Sequence, residues 1–144
     1  MNKQEILNEE NERWKPKEGE KFFFIDAWTR ACYKNYKETD RCCYEYHHTY
    51  NCFKSEKEAE QEAEKISVRR LLEAIAKKLN KGRNIDWESH EYKFHLLIFN
   101  DVISQEVCQD IKYQGTVYCL DGNFKDIAIR EIGEERLKAY LRGE

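Results

Sequence analysis

The stretch from Ser55 to Gly82 constrains this chain more than any other. Ser55-Glu56-Lys57-Glu58 sets a Ser three residues before a Glu, a capping box that satisfies backbone donors at a helix start. Ala59, Ala63, Ile66, Leu71, Leu72, Ile75, Ala76 and Leu79 then recur at helical spacing, and Gly82 follows as a C-terminal stop. Acidic residues from Glu56 through Glu64 crowd the first turns, and Lys77, Lys78 and Lys81 the last, matching the helix dipole. A long helix with one apolar stripe needs a surface to cover, and the rest of the sequence must supply it.

That surface reads as strands. Lys21 to Trp28, with Phe22, Phe23, Phe24 and Ile25 in succession, predicts a buried strand, and Thr29 to Arg41 a second strand and loop. Cys42 to Phe53 predicts another extended segment, with Tyr44, Tyr46, His48 and Tyr50 on one side and Cys43, Glu45, His47 and Thr49 on the other. Tyr92 to Phe99 alternates in the same way. Glu106 to Tyr113 and Thr116 to Leu120 flank Gln114-Gly115 and predict a hairpin.

Asn123 or Asp121 then caps a helix whose apolar face is Phe124, Ile127, Ala128 and Ile132. Gly133 ends it, and Glu134 to Leu141 forms a last short helix. The order predicts an α+β fold: an antiparallel sheet with one long central helix and short C-terminal helices packed on one face. Asn51-Cys52-Phe53-Lys54-Ser55 and Gly122-Asn123-Phe124-Lys125-Asp126 each lead from strand to helix, so the chain reads as two related β-then-α halves.

With 144 residues the expectation is a single domain over 1–144, with Met1 to Arg13 a frayed lead-in. Charged residues make up 37%, which alone would suit disorder, but 13% aromatics supply the bulk for a core. The 25 basic and 28 acidic residues give a net charge of -3, a balance of signs that does not imply a general affinity for nucleic acid. The polar opening has no signal-peptide pattern, and no run approaches the roughly 20 apolar residues that span a bilayer. The expected place is therefore the cytoplasm, where the six cysteines stay as free thiols.

Cys42, Cys43, His47, His48 and Cys52 offer five soft-metal donors, but no Cys-x-x-Cys pair is present and a strand splits them between faces. No metal or other cofactor is expected. Cys43 or Cys52 with His47 or His48 lacks a local feature to fix a nucleophile, and no glycine-rich phosphate loop occurs, so no enzyme is expected.

Glu56, Glu58, Glu60, Glu62 and Glu64 can present carboxylates as a phosphate strip does, or simply form a solvated helix face. Tyr44, Tyr46 and Tyr50, with Tyr33 and Tyr36, suit a recognition surface as well as packing under the long helix. These carboxylates and the first three tyrosines form the candidate partner-binding set. Arg69, Arg70, Lys81 and Arg83, in a basic stretch with Lys77 and Lys78, lie near Trp87 and form an alternative nucleotide-binding or phosphate-binding set, the aromatic stacking on a base.

Trp14-x-Pro16-x-x-Gly19-Glu20-x-Phe22, then Asn51-x-Phe53-Lys54-Ser55-x-x-Glu58-Ala59-Glu60, then Ile132-Gly133-Glu134-Glu135-Arg136-Leu137, resembles small uncharacterised accessory proteins of phages and prophages of Firmicutes. These motifs are structural and carry over no catalytic residue. The resemblance implies a non-enzymatic phage product that inhibits a host defence system, of the anti-CRISPR type, by stoichiometric binding to a protein effector such as a nuclease. The alternatives are an oligomeric protein that sequesters a nucleotide signal, and a small enzyme such as a nuclease.

Overall fold

The structure is a computed structural model that describes residues 14–144, so the expected lead-in over 1–13 lies outside the described residues. In chain order the elements are β1 (Lys21–Ile25), β2 (Ala31–Asn35), α1 (Arg41–His48), α2 (Glu56–Leu79), β3 (Lys93–Phe99), β4 (Val102–Cys108), α3 (Phe124–Ile132) and α4 (Glu134–Leu141). The fold class is α+β. Its antiparallel strands are divided between two sheets of two, β1–β2 and β3–β4. The chain forms two compact units, one ending at Ala63 and one running from Glu64 to Glu144, and each has its own core.

In the first unit Asp26 shapes the β1–β2 turn, its carboxylate accepting from the backbone N–H of Trp28 and of Arg30, each at 2.9 Å. Those bonds, that from Arg30 first, hold its carboxyl below the ordinary value. Phe22 and Phe24 alternate onto one face and join Tyr36, Cys43, Tyr46 and Trp14 in the core. Phe23 turns the other way, opposite Tyr33.

The expected strand over Cys42 to Phe53 is instead the helix α1. Asp40 accepts from the Cys42 N–H at 2.9 Å and pairs with Lys34 at 2.6 Å, so the chain is capped into a helix before the alternation can extend. Cys43 and Tyr46 then share the inner face at helical spacing. After α1, Phe53 returns to exchange two backbone bonds with Phe23, at 2.9 and 2.8 Å.

Helix α2 starts as expected, the Glu58 N–H donating to Ser55 Oγ at 3.2 Å, and the chain turns away at Lys81 and Gly82, both with positive φ. Its stripe differs in detail. Val68 is fully buried although the periodicity passed over it, and Leu71 is 38% exposed.

In the second unit, Val68, Leu72 and Ala76 pack with Leu96 and Ile103 of the sheet, Phe124, Ala128 and Ile132 of α3, and Leu137 of α4. The hairpin expected around Gln114-Gly115 is not formed. β3 pairs with β4 through the two-residue turn Asn100-Asp101, whose φ angles of 49° and 60° suit the tight turn that matches strand twist. Residues 116–120 contribute only a bridge, Cys119 to Phe94. Asn123 makes no side-chain cap for α3; Asp121 accepts the Asn123 N–H at 2.8 Å instead. Gly133, at φ 100°, separates α3 from α4 as the sequence predicted.

Both hairpins are followed by a return that touches the outer edge of the first strand, Phe53 at Phe23 and Cys119 at Phe94, with α1 intervening only in the first unit.

Candidate nucleotide-binding groove

The second unit holds an open groove of 410 Å³ beside the C-terminal half of α2. Asn80 fixes one wall, its Oδ1 accepting from the Leu120 N–H at 2.8 Å and from the Cys119 thiol at 3.4 Å. Burial raises the pKa of that thiol. After the turn at Lys81 and Gly82 the chain brings Arg83 and Trp87 into the lining.

Trp87 stands edge-on to Tyr118, ring centres 4.8 Å apart. Beneath it Lys93 is fully buried, its Nζ donating to the carbonyls of Ser89 at 2.9 Å and Gln109 at 2.7 Å while lying 5.2 Å from the Trp87 ring centre. A buried ammonium needs such acceptors, and here it ties the loop before β3 to the segment after β4. Lys112 lies 5.5 Å from the same ring. His95 is buried next to Tyr118, its Nε2 3.1 Å from the Glu106 carboxylate and its Nδ1 without a partner.

Among the described residues the cations along the groove are Arg69, Lys77, Arg83 and Lys112, against the single carboxylate of Glu73. Arg69 is held by Glu73 at 3.0 Å and by the Gly115 carbonyl at 2.6 Å, and Arg83 donates from one nitrogen to both Glu91 oxygens, at 2.8 and 3.0 Å. Each guanidinium has five N–H donors, so these bonds orient it and leave others to meet an anion. The groove therefore combines positive charge with a positioned indole, the pairing that holds phosphate and stacks a base.

Of the sequence-derived phosphate set, Arg69, Arg83 and Trp87 converge on this groove, whereas Arg70 and Lys81 are exposed outside its lining. Sequence reasoning missed Lys112 and Tyr118. They lie well downstream of the basic stretch and reach it only through the fold.

The partner-binding set is spread out. Glu56, Glu58 and Glu60 are exposed, Glu62 is half-buried, and Glu64 pairs with Arg136. A spacing of two residues places successive carboxylates on opposite sides of a helix, so the five form no single strip. Tyr44 is exposed and stacked on His48, Tyr50 is exposed, and Tyr46 stacks on Phe24 at 4.3 Å in the core. In the helix α1, Cys43 faces inward and Cys42 outward, which replaces the face assignment made for a strand. The six cysteines form no disulfide with one another. Among the described residues no group of three or more His, Cys, Asp or Glu side chains is placed to hold a metal, and no helix is long and apolar enough to cross a membrane.

Comparison with family models, with curated proteins and with solved structures finds no match to this chain.

Proposed function

We propose that the chain is a non-enzymatic binding protein that captures a nucleotide in the groove between α2 and the 112–118 segment. The observation that carries this reading is that Arg69, Lys77, Arg83 and Lys112 line one groove together with a positioned indole, Trp87. The cations meet phosphate, and the indole stacks on the base or covers the sugar. Read with the resemblance to phage accessory proteins, the role is sequestration of a nucleotide signal used by a host defence system.

Titration of the purified protein with cyclic dinucleotides, linear dinucleotides, ADP-ribose and mononucleotides tests this, following tryptophan fluorescence and heat. One class binds, and both Trp87→Ala and Arg83→Ala weaken it at least tenfold, a loss of about 1.4 kcal/mol. If no class binds, or both variants bind as the parent does, the reading fails.

A second reading has its own observation. Trp28, Tyr33, Tyr44 and Tyr50 are all exposed on the first unit, Trp28 at 77%, and Glu56, Glu58 and Glu60 are exposed on the start of α2. Exposed aromatics with carboxylates suit stoichiometric inhibition of a defence effector with a basic nucleic-acid channel, of the anti-CRISPR type. A one-to-one complex with such a nuclease, lost on replacing Trp28 and Tyr50 by Ala, supports it; absence of any complex sinks it.

A further inference from the structure

Strand β3 is paired with β4 on one edge and, among the described residues, only at Phe94 on the other. Phe94 exchanges both backbone bonds with Cys119, at 2.7 and 2.9 Å, so its N–H and C=O point away from β4. Alternation along the strand turns the N–H and C=O of Leu96 and Ile98 toward that same outer edge. Pairing with β4 continues to Phe99↔Val102, so the edge keeps its strand shape over these residues. Among the described residues no backbone group pairs with Leu96 or Ile98 on that side. They form one wall of a 470 Å³ cleft, with Val117, Phe124 and Leu141 among the others.

The first unit treats the equivalent position differently. There Phe23 exchanges bonds with Phe53, and two residues on, Ile25 donates to Asn51 Oδ1 at 2.7 Å and accepts from Asn51 Nδ2 at 2.8 Å. The Asn51 carboxamide imitates the next residue of a pairing strand. Asn51 stands two residues before Phe53, and the residue two before Cys119 is Val117, which has nothing to offer the backbone. Among the described residues, one half closes its edge and the other leaves it open.

We propose that the open edge of β3 at Leu96 and Ile98 is a docking site for an extended peptide segment of a partner protein, which adds as a further strand. Unpaired alternating donors and acceptors select an extended backbone, and the apolar walls take every second side chain. Among the described residues Lys65 is the sole charged one lining the cleft, so the segment carries an acidic residue there. A second copy of the chain does not fit. The edge lies inside a cleft, and the same walls on both copies keep two β3 edges from the roughly 4.8 Å spacing of paired strands.

The test is a random-peptide display selection against the full chain, followed by amide exchange and titration with a selected synthetic peptide. Enriched peptides alternate apolar residues and include an acidic one. The bound peptide slows exchange at Leu96 and Ile98 at least tenfold, and N-methylation of its pairing amides weakens binding at least tenfold. Val117→Asn, which gives this edge the group that closes the other, weakens binding similarly, while Val117→Thr retains it. If Val117→Asn does not fold, the N-methylated peptides decide the question with the unaltered protein. Enrichment of no peptide, binding that leaves the two amides unprotected, or protection of them by self-association without peptide each overturns the proposal.

Discussion

Asn51 shows how much one side chain can do for a sheet this small. Its two bonds to Ile25 supply what a neighbouring strand otherwise would. Asn51→Ala leaves that N–H and C=O unpaired in a half-buried setting, and we expect a loss of about 1–3 kcal/mol in chemical denaturation of the full chain. Asp40 acts at the same scale. Lys34 first, and the Cys42 N–H next, hold its carboxyl below the ordinary value of 3.8. A depressed acid contributes fully above its unfolded pKa and loses that contribution as pH falls through the folded one. Amide protection of α1 should therefore hold at pH 5 and decline steadily below pH 4, and Asp40→Asn, which keeps an accepting oxygen, should flatten that decline. In the sequence Asn51 read only as a link into α2, because nothing local reveals which strand a carboxamide will meet. Arg69, Arg83 and Trp87 were legible since they lie in one basic stretch; Lys112 and Tyr118 were not.

Among the elements, α2, β3, α3 and α4 were legible because each has a period, a cap or a glycine stop consistent with one reading. α1 was not. Its run of Tyr and Cys has strand-like composition, and a short segment satisfies both periods, Tyr44 and Tyr46 at spacing two and Cys43 and Tyr46 at spacing three. The cap at Asp40 and the burial of Cys43 decide in favour of the helix. The β3–β4 hairpin was misplaced for a related reason. Gln114-Gly115 carries the glycine, yet Asn100-Asp101 makes the turn, since Asn and Asp tolerate left-handed backbone and stand between two alternating strands. Asn100, at φ 49°, should therefore accept Gly with little change, while Asn100→Val should cost about 1–2 kcal/mol. Thermal unfolding of the two variants beside the parent measures the difference, and equal loss in both would mean that Asn100 matters for a side-chain contact instead of for its backbone.

For the whole molecule the informative quantity is where charge lies, which a net value of -3 conceals. Balanced charges do not by themselves imply an extended track for a polyanion, yet among the described residues the groove gathers Arg69, Lys77, Arg83 and Lys112 against one carboxylate. Composition speaks only to the average over the surface, and it is silent on a local concentration that only folding creates. The two arrangements respond differently to ligand length. On a track, each added phosphate meets another cation, and both affinity and its salt dependence rise with length. In a groove, phosphates beyond the first few face a surface whose remaining charge is net negative, and they add nothing. Titration with a dinucleotide, a hexanucleotide and a dodecanucleotide at two salt concentrations should give one affinity for all three, after allowing for the number of ends, and one shared salt slope. A steady gain with length would replace the captured nucleotide by a nucleic-acid strand as the ligand of this groove.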